Sequence, residues 1–256
     1  RARRAGRRGE RAARPDLVRQ LVGRGPDGEG YGMYNADTAT VGLGHRRLSI
    51  IDLTEGGSQP QTYQSLHITF NGEIYNYAEI KTQLEQKGHQ FNSHSDTEVI
   101  LNAYAAWGND CVKKFNGMWA FAIYDEQENN LFCSRDRFGV KPFYYCIVGN
   151  QFIFGSEIKQ LQTIEKPKVN YNILMDYLVY NLEEHTDDTF FSNIKKLPAA
   201  HHLIYDLATH HFKIEKYYQV TFTEKNEDLS EEELIAQIKD TLYSSVKLRL
   251  RSDVEV

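Results

Sequence analysis

The strongest constraint on this chain is two pairs of apolar segments, each joined by a very short polar connection. Residues 118–125 and 130–134 flank the run at 126–129, and residues 143–148 and 151–155 flank Gly149-Asn150. Connections this short join only antiparallel partners, so both pairs read as β-hairpins. Strands this apolar need at least one buried face. A further extended stretch, 66–70 (LHITF), is rich in β-branched and aromatic residues and reads as a largely buried strand.

Asn71-Gly72 follows that strand, where the backbone is expected to turn. One reading is a plain turn dipeptide. The other is a site that presents the Gly72 amide beside the Asn71 carboxamide, with no Cβ at Gly72 to keep a substrate away. Two neutral donors converging on one point suit the oxygen of an amide carbonyl under attack. Asn76 with Glu79 has capping-box spacing for a helix over 77–87 that stops at Gly88. Ser95 with Glu98 starts a second helix, 97–107, which Gly108 terminates. Asp96 falls in its first turn, where a carboxylate is favoured by the helix dipole whatever else it does.

Elsewhere the pattern predicts a short helix over residues 17–22, a loop at 24–30 in which Arg24 and Asp27 are able to pair, and a strand over 38–43. Extended backbone beyond that strand sends Arg46 and Arg47 to opposite faces, so only one of them enters a given site. A helical stretch opens at 156–161, and a helix spans 171–180 with Leu174, Tyr177 and Leu178 on one face. Residues 190–197 and 201–206 return to extended structure. After a polar connection at 218–228, Ser230 and Glu233 form a capping box for a long amphipathic helix. Its apolar stripe is Leu234, Ile235, Ile238, Leu242 and Val246.

A chain of 256 residues buries a sizeable core, and its net charge of -5 gives no general reason to expect nucleic acid as a partner. No apolar run is long enough to span a bilayer. The three cysteines (Cys111, Cys133, Cys146) lack paired spacing, which fits a reducing compartment and a cytoplasmic location. His201-His202 and His210-His211 have no cysteine or carboxylate at ligand spacing, so no metal is expected. Residues 1–14 are dense in arginine, with alanine as their only apolar side chain, and read as a disordered tail. A nucleic-acid arm, a transit peptide and a membrane-surface patch are functional readings of it. Foreign sequence comes first, because no lysine appears before Lys81.

Five motifs occur in fixed order: Gly42-Leu-Gly-His-Arg-Arg-Leu-Ser-Ile-Ile-Asp52, Asn71-Gly-Glu-Ile-Tyr-Asn76, Ser95-Asp-Thr-Glu-Val-Ile100, Phe115-Asn-Gly-Met-Trp-Ala-Phe-Ala122 and Arg135-Asp-Arg-Phe-Gly-Val-Lys-Pro142. Together they resemble the glutaminase domain of glutamine-dependent asparagine synthetases, class II amidotransferases of the N-terminal-nucleophile hydrolase type. The resemblance implies an α+β fold, a four-layer αββα sandwich of antiparallel sheets. It divides the chain into the tail at 1–14, an amidotransferase domain at 15–217, and at 218–256 a linker and the first helix of an α/β synthetase domain.

The resemblance also implies hydrolysis of L-glutamine to glutamate and ammonia. Asn71 and Gly72 would form the oxyanion hole, and Arg47 would hold the α-carboxylate beside Leu48, Ser49, Ile50 and Ile51. Glu73 and Asp96 would face the α-ammonium. The ammonia would amidate AMP-activated aspartate in a synthetase domain in cis, where ATP and Mg are expected, and a homodimer is compatible with it. No cofactor is expected in residues 1–256 themselves. In the family the nucleophile is an N-terminal cysteine with its own α-amine as base. No cysteine stands near the start of this sequence, so the chain is expected to bind glutamine without useful turnover. The alternative is a nucleophile-free scaffold domain like those of β-lactam synthetases.

Overall fold

The computed structural model describes residues 18, 21, 23, 25–36, 38–164, 166–222 and 229–254. The arginine-rich tail, Arg24 and most of the helix expected over 17–22 lie outside them, as does much of the polar connection at 218–228.

Strands β1 (Gly28–Asn35) and β2 (Thr40–Arg47) form an antiparallel pair. Strands β3 (Gln61–Tyr63), β4 (Leu66–Ile74), β5 (Gly117–Asp125), β6 (Asn130–Arg135), β10 (His201–Asp206) and β11 (Phe212–Lys216) make a six-stranded antiparallel sheet, in the order β11-β10-β6-β5-β4-β3. Strands β7 (Tyr144–Val148), β8 (Gln151–Gly155) and β9 (Lys195–Lys196) make a smaller one, in the order β8-β7-β9. The helices are α1 (Tyr77–Glu85), α2 (Asp96–Trp107), α3 (Ile158–Leu161), α4 (Tyr171–Tyr180) and α5 (Glu231–Arg249). The class is therefore α+β with antiparallel sheets.

Strand alternation distributes the side chains into three cores. On one face of the large sheet, Ile68, Phe70, Trp119, Phe121 and Ile123 pack against Ile80, Leu84, Val99 and Ile100 of α1 and α2. On the other face, Ala120, Ala122 and Leu203 meet Val41 and Leu43 of β2 and Phe143 and Tyr145 of the segment through β7. A third, smaller core joins Cys146 to Leu161 of α3 and Ile194.

Several elements differ from the sequence reading. The segment at 28–30, expected as loop, opens β1, and the glycines allow it: a Cβ on Gly30 would lie 2.0 Å from the Gln59 carbonyl oxygen. The backbone does not turn at Asn71-Gly72. Pairing with β5 carries β4 on to Ile74, with Asn71 opposite Ala120 and Gly72 opposite Trp119. The Asn76–Glu79 capping box does not form, because the Asn76 side chain is engaged with the Asn116 amide and the Lys114 carbonyl, and Glu79 pairs with Arg251. At α2, Ser95 caps the Thr97 amide as expected, but Glu98 turns away to accept from Asn92, Ser93 and the Ser93 hydroxyl. On α4 the buried residue is Ile173, and Leu178 is exposed. The extended stretch expected over 190–197 shortens to β9 and an isolated bridge at Phe191. The Ser230–Glu233 capping box is present at α5, whose apolar stripe is not buried.

The loop after β6 is set by one buried carboxylate. Asp136 accepts from the amides of Trp119, Phe138, Val140 and Lys141, and the neighbouring Arg135 donates to the carbonyls of Gly139, Lys141 and Leu197. Asp136→Ala strands the buried Trp119 amide and the part-buried amides of Phe138, Val140 and Lys141 at once, a fully buried unpaired donor costing about 1–3 kcal/mol. Urea unfolding is expected to report a loss on the order of 3 kcal/mol or more, while Arg137→Ala, at a more exposed site, stays within about 1 kcal/mol.

Candidate functional site

A cavity of about 920 Å³ opens where β2, the far half of β4, the N-terminus of α2 and the Val140–Phe143 segment converge. Both Arg46 and Arg47 line it, and position on β2 decides which guanidinium turns to the inter-sheet side. Val41 and Leu43 point into the inter-sheet core, and Arg47 shares their parity, whereas Arg46 points the other way to Glu29 (2.8 Å) and the Gly25 carbonyl (3.0 Å).

The Arg47 guanidinium is fixed from behind. It donates to the Thr54 carbonyl at 2.7 Å and to the Asp52 carbonyl. It also lies against Gly57, where a Cβ would come within 2.0 Å of Nη2. The loop making this cradle is itself tied down. The Asp52 carboxylate accepts from the Thr54 amide and hydroxyl and from the His94 amide, so the Arg47 loop is stitched to the segment leading into α2. A guanidinium held at two donors keeps its remaining N–H groups for a carboxylate in the cavity.

Across the cavity lies the edge of β4. β3 covers it only as far as Ile68. Beyond that point, the Phe70 amide donates to Gln59 Oε1 at 2.6 Å and the Ile74 amide to Asp96 Oδ2 at 2.9 Å. The Gly72 amide belongs to the same edge: its partner Trp119 directs its own N–H and C=O toward Asp136 on the opposite side, which makes Gly72–Trp119 a non-hydrogen-bonded pair. Gly72 has φ +155°, and an added Cβ would sit 2.2 Å from the Met118 carbonyl oxygen. The neighbouring strand, rather than space for a substrate, is therefore what demands glycine here. Asn71 and Glu73 fall on the inter-sheet face of β4. Asn71 Nδ2 makes one long contact, 3.3 Å to Ser156 Oγ.

The charges beside this edge are unusual. Asp96 is buried, and its pKa rises to about 7, chiefly because burial disfavours the anion and secondarily because Glu73 is near; the Ile74 amide opposes both. Burial likewise raises Glu73, against the attraction of Lys141. Glu73 Oε1 is buried and has no hydrogen-bond partner among the described residues. Two carboxylates held in this state favour a cation between them. His45 is pushed down to about 4 by burial, which outweighs its bond to the Phe70 backbone, so it is neutral at pH 7.

Arg47, Leu48, Ile50, Ile51, Asn71, Gly72, Glu73 and Asp96 all line the cavity. Ser49 does not; its amide donates to Asp27 Oδ2 at 2.8 Å. Lys141, Gln59 and Gly57 line it as well and were not anticipated, because each is placed by loop geometry rather than by a periodic pattern. All three cysteines are buried and none lines the cavity. Burial raises the thiols of Cys111 and Cys133 well above their ordinary range.

The family model of the glutamine amidotransferase domain matches residues 5–218. A putative glutamine-hydrolysing asparagine synthetase of Methanocaldococcus jannaschii is 41% identical over 253 residues, covering 91% of this chain and 48% of its own length. The glutamine-hydrolysing asparagine synthetase 1 of Bacillus subtilis is 36% identical, covering 96% of this chain and 38% of its own. The chain thus spans about half or less of the length of these relatives. Among solved structures, the glutamine phosphoribosylpyrophosphate amidotransferase of B. subtilis aligns with a TM-score of 0.58 at 18% identity, over 82% of this chain and 48% of that one.

Two outcomes follow from the geometry. Because Asp96 binds its proton more tightly folded than unfolded, its contribution to stability is complete below pH 3.8 and is lost as pH rises through about 7. The difference amounts to about 4 kcal/mol across that window. Asp96→Asn keeps an acceptor for the Ile74 amide, and its urea midpoint is expected to fall less between pH 5 and pH 8 than that of the parent. Gly57→Ala is expected to fold and to displace the Arg47 guanidinium, read as a changed Arg47 side-chain resonance by NMR.

Proposed function

Because the chain belongs to the glutamine amidotransferase domain family, we propose that it binds L-glutamine in this cavity as the glutaminase portion of an ATP-dependent asparagine synthetase. One observation carries the reading: a back-anchored guanidinium at Arg47 shares the cavity with the edge of β4, where the carboxyls of Glu73 and Asp96 are buried and Glu73 Oε1 has no hydrogen-bond partner among the described residues. An α-amino acid presents a carboxylate and an ammonium to that pair. Its side-chain amide then reaches Asn71 and the Gly72 amide, two neutral donors suited to an oxyanion forming on the attacked carbonyl.

Hydrolysis also needs a nucleophile at that carbonyl. The family uses an N-terminal cysteine and its α-amine for this step, a role distinct from Cys111, Cys133 and Cys146, which are buried and do not line the cavity. In the whole protein, ammonia released here would amidate AMP-activated aspartate in a synthetase domain in cis. We assign residues 15–217 to the amidotransferase domain and 218–256 to the linker and opening helix of the synthetase domain. ATP and Mg are assigned to the synthetase domain of the whole protein, and no cofactor to residues 1–256. No described helix is long and apolar enough to cross a membrane. A cytoplasmic, homodimeric biosynthetic enzyme completes the reading.

Titration calorimetry tests it. The chain is expected to bind L-glutamine, and Arg47→Ala to weaken binding at least about 30-fold, from the 2 kcal/mol or more attached to a desolvated charge pair. The ammonium requires ionised Asp96. Affinity is therefore expected to rise with pH up to about 7, by at most about tenfold per unit, and then to level off. Heats in two buffers near pH 6.5 should show proton release on binding. A folded sample that does not bind glutamine would contradict the proposal.

A further inference from the structure

The segment following α5 lies far in sequence from Arg47, Glu73 and Asp96, yet it is bonded to the elements that carry them. Asp253 closes a two-bond bridge with the loop behind Arg47: its amide donates to the Ile50 carbonyl at 3.0 Å, and its Oδ2 accepts from the Asp52 amide at 2.7 Å. Asp52 is the residue whose carbonyl accepts from Arg47 and whose carboxylate binds the His94 amide. It has φ +53°, a left-handed conformation that a non-glycine residue keeps only when its surroundings enforce it. Two residues earlier, Arg251 donates to the Tyr75 carbonyl at 2.9 Å and forms a bidentate pair with Glu79 at 2.5 and 2.6 Å. Those contacts fix the chain where it leaves β4, directly after Glu73. Arg249 adds a cation–π contact, 5.0 Å from the Tyr75 ring centroid.

We propose that Asp253 is a positioning residue for the glutamine site: it enforces the left-handed Asp52 conformation and so sets the height of the Asp52 carbonyl beneath Arg47. Arg251 does the same for the opposite wall. The inference rests on the reading of the cavity as a glutamine site. It adds that the pocket is completed by a segment more than 150 residues beyond Asp96, following the helix assigned above to the synthetase domain. Movement of that helix is then transmitted to the Arg47 cradle through three hydrogen-bonded residues, Asp253, Asp52 and Arg47.

The test compares the full chain with Asp253→Ala and Asp253→Asn, since asparagine keeps an oxygen acceptor for the Asp52 amide. Titration calorimetry with L-glutamine and with its α-carboxamide reads the effect, because only the acid engages Arg47 by charge. The expected result is that Asp253→Ala lowers glutamine affinity about tenfold or more, reduces the preference for glutamine over its carboxamide, and speeds amide hydrogen exchange at 52–54. Asp253→Asn should stay within about threefold of the parent, with the preference intact. Parent-like binding and preference in a folded Asp253→Ala variant would overturn the positioning role alone. A parent chain that does not bind glutamine would overturn the glutamine reading and this proposal with it. Unchanged amide protection at 52–54 in Asp253→Ala would also overturn the role.

Discussion

The site depends on a mismatch between two neighbouring strands. β5 pairs with β4 along its whole length, while β3 covers only its first part. From Phe70 onward the outer edge of β4 must find partners other than a strand, since unpaired buried amides are costly. Gln59 supplies one for Phe70 and Asp96 one for Ile74. Between them the Gly72 amide faces the cavity. The same hydrogen bond that satisfies Ile74 brings the first residue of α2 against the sheet. A structural need of the edge therefore places a buried carboxylate where a cation is useful.

The opposite wall follows a second rule: a long flexible cation is useful only if its end is held. Arg47 is gripped by two backbone carbonyls and confined by Gly57, and the loop providing them is locked by the Asp52 side chain. The entropy of ordering the arginine is met within the fold rather than at the moment of binding. Asp52 touches both the Arg47 cradle and the segment ahead of Asp96, so the two ends of the site share one anchor.

Much of this was legible from sequence wherever a period or a local partner decided the outcome. The hairpins through β5–β6 and β7–β8, the bounds of α4 and the Ser230 capping box all depend on nearby residues, and the structure reproduces them closely. The alternation on β2 correctly sent Arg46 and Arg47 to opposite sides. The misses have a common origin in distant partners. Asn76 cannot cap α1 because the 114–116 segment has claimed its side chain, and Glu79 is drawn to Arg251. Asn71-Gly72 resembles a turn, but β5 supplies a ladder that no local rule foresees. Gln59, Lys141 and Asp253 matter through loops whose paths the sequence does not encode locally.

The most direct measurement is a crystal structure of the chain grown with L-glutamine. The account requires the ligand's carboxylate on Arg47, its ammonium between Glu73 and Asp96, and its side-chain carbonyl oxygen within hydrogen-bonding distance of both the Gly72 amide and Asn71 Nδ2. Glutamine bound with its side chain directed away from Gly72, or at another surface with this cavity holding only solvent, would contradict it.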